Sequence, residues 1–228
     1  MGINFIKIGR SKPPPGSKKI VSEGMLLQMS NNCFFTFFFS SGLKSLLVDL
    51  ANKEYNKWNT PTKIIEGNSK TIKELRAYWK TGANVDGTDN YYIFNPWSAS
   101  FISWLFRTAG AGTDFKYSAS HSVYIRDAVK NRKLNNKNPF KGYKINEVDL
   151  NVGDLVCKPR QAGVTYDTTT GYFAHCDLIT EINNDTAVAI GGNVNNSVSK
   201  TMIPLKNNKI DQSNPKNSSW FVVIKNLK

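Results

Sequence analysis

Apolar residues recur at helical spacing in the first half of the chain and gather in short runs in the second. Between Gly42 and Trp58, Leu43, Leu46, Leu47, Leu50 and Ala51 fall on one side, with Lys44, Asp49, Lys53 and Glu54 between them. That period predicts an amphipathic helix. Thr71 to Trp79 predicts a second, shorter helix, and Asn84 to Asn90 a polar loop. Asn95-Pro96 is then a start signal, because asparagine caps a helix and proline suits its first position. Trp97, Phe101, Trp104 and Leu105 follow on one apolar face, and Gly110 ends the segment. A fourth helix is predicted near His121 to Lys130.

After Asn131 the texture changes. A connector rich in lysine and asparagine runs to about Asn146 and reads as a surface loop. Short apolar runs follow at Asp154–Cys157, Phe173–Ile182, Ala187–Ile190, Ser197–Ile203 and Trp220–Ile224, each bounded by Gly, Asn, Asp or Pro. They predict about five strands, with Asn183-Asn184-Asp185 as a tight turn between two of them. Helices followed by strands predict an α+β domain whose helices pack on an antiparallel sheet. No internal repeat is present.

The N-terminal segment, residues 1–41, stands apart from the predicted domain at 42–228. It has a short apolar start, Ile3 to Ile8, then the breaker Pro13-Pro14-Pro15-Gly16. The run Cys33–Phe39 reads as a buried strand, as the apolar core of a signal peptide starting at Met25 or Met29, or as a targeting segment for another secretion route. No signal peptide is expected to begin at Met1, where polar residues interrupt the apolar run.

Composition narrows the function classes. The chain has 228 residues, 40% of them hydrophobic and 12% aromatic, which excludes a largely disordered or fibrous chain. Thirty Lys and Arg against 17 Asp and Glu leave a net charge of +13, which suits an anionic partner such as nucleic acid, a membrane surface or a cell-wall polymer. The lysines are scattered and no nucleic-acid motif appears, so no nucleic-acid partner is expected. No apolar stretch approaches the roughly 20 residues of a membrane span. Three cysteines without a CxxC are too few for a disulfide scaffold. Cys157 and Cys176 fall on strands expected to be near neighbours, as buried thiols or as a cross-strand disulfide.

Candidate chemistry centres on the two histidines, His121 and His175. In Tyr172-Phe173-Ala174-His175-Cys176-Asp177, strand alternation puts His175 and Asp177 on one face and Cys176 on the other. Ser98, in Pro96-Trp97-Ser98-Ala99, falls in the first turn of the third helix, where free N–H groups favour developing negative charge. A nucleophile at a helix N-terminus facing a strand histidine is an arrangement for acyl transfer, and Asn193 after Gly191-Gly192 is placed to orient the ring. His121, in Ser118-Ala119-Ser120-His121-Ser122, reads as a second base, a substrate ligand or a helix-cap neighbour. His121, His175 and Asp177 lack a recognised metal spacing, so no metal or other cofactor is expected.

These residues resemble a known pattern. Asn95–Gly110, with Trp97-Ser98-Ala99 in it, resembles the nucleophile helix of CHAP-type amidohydrolase/peptidases, a papain-like (CHAP/NlpC-like) group. Gly153–Arg160 resembles their Gly-Asp strand, His175–Thr180 their histidine strand, and Ala189–Val194 the strand with the orienting residue. The combination of Trp97–Trp104, Ser118–Ser122, His175–Asp177 and Ile190–Val194 is similar to an uncharacterised bacterial family within that group. The departure is Ser98, where CHAP enzymes carry cysteine. A serine hydroxyl has a far higher pKa than a thiol and needs a true general base.

The resemblance implies a papain-like α+β fold and hydrolysis of an amide bond in bacterial peptidoglycan or a related peptide. Ser98 would attack, His175 would act as base, Asn193 or Asp177 would orient it, and His121, Trp97 and Ser120 would contact substrate. Delivery outside the cell by a phage particle or a secretion or injection apparatus is the matching expectation, with an immunity protein as a further partner. The rival reading is a non-catalytic binding or structural module of such an apparatus.

Overall fold

The computed structural model describes residues 42–228, so the readings placed on residues 1–41, Cys33–Phe39 among them, lie outside the described residues. Helices come first: α1 (Leu43–Asn59), α2 (Ile72–Ala77) continued by a π-helical turn (Tyr78–Gly82), α3 (Asp89–Phe94), α4 (Ser98–Thr108) and α5 (His121–Lys133). Seven strands follow: β1 (Phe140–Lys144), β2 (Leu155–Pro159), β3 (Ala174–Asn183), β4 (Thr186–Val194), β5 (Ser197–Lys206), β6 (Lys209–Ile210) and β7 (Val222–Asn226). They form one antiparallel sheet in the order β1-β7-β2-β3-β4-β5-β6. The domain is therefore α+β, with seven strands rather than about five.

Both additional strands have physical reasons for escaping the apolar pattern. β1 lies in what reads as a polar connector, and its sequence, Phe-Lys-Gly-Tyr-Lys, carries two lysines and a glycine. Gly142 is needed there because a Cβ would lie 2.8 Å from the Val129 backbone nitrogen of α5. β6 is only two residues long and closes a hairpin on β5.

Two helix boundaries also differ from expectation. Asn95 does not open α4; it closes α3, where its backbone N–H and side-chain amide both donate to the Tyr91 carbonyl. α4 starts at Ser98, with Trp97 as its flanking residue. Part of the loop predicted at Asn84–Asn90 is the start of α3, capped by Thr88 Oγ1 accepting from the Tyr91 N–H.

The asparagines find their explanation in the sheet. The chain has 26 of them. Among the described residues, every non-glycine residue with positive φ is asparagine. Asn195-Asn196 (φ 52° and 58°) joins β4 to β5, and Asn207-Asn208 (φ 52° and 62°) joins β5 to β6. Two successive positive φ values match the right-handed twist of a hairpin, and asparagine tolerates them at low cost. Asn184 turns β3 into β4, as the sequence predicts.

Strand alternation feeds two buried clusters. Leu155, Cys157, Val222 and Ile224 join the cluster built with α1, α4 and α5, while Val156 and Val223 join a smaller one with Ile203, Ile210 and Trp220. The helix-side cluster is rich in rings. Trp97 stacks on Trp58 and Tyr78, with centroids 5.1 and 5.6 Å apart. Its indole N–H donates to the Glu66 carboxylate. Trp97 is fully buried, so the expected substrate contact is instead the anchor that seats the start of α4. Cys157 and Cys176 are directly opposite in the β2–β3 ladder and form a disulfide.

Candidate functional site

Two helices begin at the same place. Ser98 is the first residue of α4 and His121 the first of α5, and both side chains are buried. Ser98 Oγ lies 2.7 Å from His121 Nε2. The first helical bond of α4 runs from the Phe101 N–H to the Trp97 carbonyl. The amides of Ser98, Ala99 and Ser100 thus precede the helical ladder and bring the positive end of the helix dipole to the serine.

The other imidazole nitrogen of His121 meets the Tyr124 hydroxyl, one turn further along α5. When the serine hydroxyl donates to Nε2, the imidazole proton sits on Nδ1 and donates to the Tyr124 oxygen. That is the tautomer a general base needs. Burial pushes the Tyr124 phenol well up, and the Asp177 charge adds to it, so Tyr124 orients the ring as a neutral group. Burial also holds the His121 imidazole well below its usual value, aided by His175 and Arg160.

His175 sits beside this pair rather than in it. Its ring centroid is 5.3 Å from that of His121. Its Nε2 lies 2.7 Å from Asp177 Oδ1, and each residue of the pair is only 1% exposed. The same-face placement read from strand alternation therefore appears as a direct contact. The expected Ser98–His175 hydrogen bond is replaced by Ser98–His121, because α5 brings its own histidine to the serine. Of the two residues expected to orient His175, Asp177 holds the ring, and Asn193 adopts a left-handed turn (φ 55°).

The Gly191-Gly192 pair is explained by close approach. A Cβ on Gly191 would lie 1.8 Å from Asp177 Oδ1 and 3.1 Å from His175 Nε2. A Cβ on Gly192 would lie 2.6 Å from the Phe101 ring of α4. The first glycine admits the His175–Asp177 pair, and the second admits α4.

The serine opens onto a cavity of about 430 Å³ lined by Trp79, Tyr91, Ser98, Ser120, His121, Arg160 and Tyr172, among others. Ser120, expected to contact substrate, lines it, and so does His121. Burial pushes the Tyr172 phenol up to about 12, so it faces the cavity as a neutral donor. A second cavity of about 490 Å³ adjoins through Asn95, Pro96 and Arg160, and Asn193 lines that one. Sequence reasoning missed Tyr124 and Arg160. The spacing of His121 and Tyr124, three apart on a helix, is the signal that would have found the tyrosine.

No curated protein and no solved structure matches the chain. The family model of uncharacterized proteins conserved in bacteria, DUF2272, matches residues 65–226, a span that holds Ser98, His121, Tyr124, Arg160, His175 and Asp177, and the chain belongs to that family.

Proposed function

We propose that this chain is a serine-dependent amide-bond hydrolase of papain-like architecture, acting on bacterial peptidoglycan or a related peptide. One observation carries the reading: a hydroxyl at a helix N-terminus, 2.7 Å from a buried imidazole nitrogen, at the wall of an open cavity. His121, not His175, is the base in this reading. Ser98 Oγ attacks the carbonyl carbon as its proton passes to His121 Nε2. The oxyanion is met by the N–H groups that start α4. His121 then gives the proton to the departing amine, the C–N bond breaks, and an acyl-serine remains. Water, deprotonated by His121, releases the acid and restores Ser98.

The His175–Asp177 pair stands beside His121, with the two imidazole centroids 5.3 Å apart. The +13 charge suits an anionic wall, and the bacterial distribution of the family suits its peptide cross-links. The test is digestion of purified peptidoglycan by wild type and Ser98→Ala, with released fragments read by mass spectrometry. Fragments from wild type alone are expected. No fragments from either, from folded protein, would move the assignment to the binding module.

The pH profile gives an independent check. A general base works when deprotonated, so activity rises as pH rises through its pKa. Burial holds His121 well below 6.5, so it is already neutral there. The acid limb of kcat/KM is expected wholly below pH 6.5, with a plateau from there to neutrality. A limb centred at or above 6.5 would count against His121 as the base.

A further inference from the structure

The two adjoining cavities share one charged residue. Arg160, just past the end of β2, is exposed and lines both of them. Its backbone is fixed, because its N–H donates to the Phe173 carbonyl at 2.8 Å. Among the described residues its guanidinium has no hydrogen bond and no ion pair, whereas Lys57, Arg76, Lys80, Lys133, Lys209, Lys225 and Lys228 each meet a carboxylate. Glu66, which also lines the second cavity, is already engaged by the Trp97 indole. Arg160 is also near enough to His121 to act on its charge.

The same groove gathers exposed rings. Phe94 is 80% exposed, Phe173 76% and Tyr91 41%, and these are the exposed aromatic side chains among the described residues. Phe94 lines the second cavity; Tyr91 and Phe173 line the first. Apolar rings left in water around a groove with a single unpaired guanidinium are the composition of a binding site, with apolar walls and one charged anchor.

We infer that Arg160 is a specificity-determining residue that binds a carboxylate carried by the substrate beside the scissile carbonyl, with Phe94 and Phe173 as the walls of the groove. The guanidinium fork matches a carboxylate in two parallel hydrogen bonds. The inference uses the proposed function only to place the scissile carbonyl at Ser98, and binding tests it without turnover.

The probe is acetyl-L-alanyl-γ-D-glutamyl-L-lysine, a stem-peptide fragment, used as the free acid and with both carboxyls amidated. Each form is titrated into Ser98→Ala protein and followed by NMR shifts. The acid form is expected to bind about tenfold more tightly, the scale of one charge-assisted hydrogen-bonded contact. Adding Arg160→Gln should remove that preference and leave the amide form unchanged, and Arg160→Lys should keep part of it. Equal binding of the two forms, a preference that survives Arg160→Gln, or no binding of either form overturns the inference. Because Ser98→Ala makes no acyl-enzyme, the two proposals fail separately. A carboxylate preference without wall cleavage by wild type leaves Arg160 standing and removes the hydrolase. Cleavage without the preference does the reverse.

Discussion

His121→Ala should abolish wall cleavage as completely as Ser98→Ala, by about 10⁴-fold or more. A serine hydroxyl is almost wholly protonated at neutral pH and attacks only as its proton leaves. The acceptor within hydrogen-bond reach is His121 Nε2. Residues that act as one unit are not additive, so Ser98→Ala/His121→Ala should be no slower than either single variant. His175→Asn keeps the Ser98–His121–Tyr124 chain and removes only its neighbour, so its loss should be far smaller, about 10- to 100-fold. The measurement is the initial rate of fragment release, with circular dichroism confirming that each variant is folded. An active His121→Ala beside an inactive His175→Asn would restore the strand histidine as the base and overturn the present assignment.

That ordering of the two histidines was not legible in the sequence, although both residues were. Alternation along β3 predicts that His175 and Asp177 share a face, and they touch. Alternation gives a face, however, and not a distance to another element. Ser98 and His121 are 23 residues apart on different helices, so only the tertiary fold, which brings the two helix starts together, joins them. The CHAP-type resemblance pointed to His175 because the histidine it carries over lies on a strand, in His175-Cys176-Asp177. Periodicity found α1, the body of α4, α5 and the five apolar strands. It lost α3, where a six-residue helix begins inside a polar stretch, and β1, where lysines and a glycine hide an edge strand. Trp97 was misread because a large aromatic beside a nucleophile can face substrate or core. Its ring contacts and the Glu66 bond place it in the core.

Asp154→Ala should cost about 3–5 kcal/mol of stability, with the site residues left in place. Asp154 is fully buried at the start of β2, after Gly153, whose φ of +88° only glycine adopts freely. Its carboxylate pairs with the Lys225 ammonium. It also accepts from the Asn226 N–H at 3.0 Å and the Asn151 N–H at 2.8 Å. One side chain thus ties the entry of β2 to its neighbour β7, the last strand of the chain. Burial pushes the Asp154 carboxyl up despite the pull of Lys225, so desolvation outweighs pairing. Such a pair adds little net stability, yet removing its acidic half leaves two backbone N–H groups without their acceptor and the Lys225 ammonium without its counter-charge, held only by the Asp149 carbonyl and Asn151 Oδ1. Lys225→Met should cost less, because a carboxyl already shifted upward can hold its proton and still serve both amides. In a domain of this size the Asp154→Ala loss corresponds to a melting point lower by about 6–20 °C. A cost below about 1 kcal/mol, or a larger cost for Lys225→Met, would show that the Gly-Asp element is not what fastens β2 to β7. The wall cleavage of Asp154→Ala below its melting point should match wild type, because this anchor holds the sheet while the proposed chemistry sits where α4 and α5 begin.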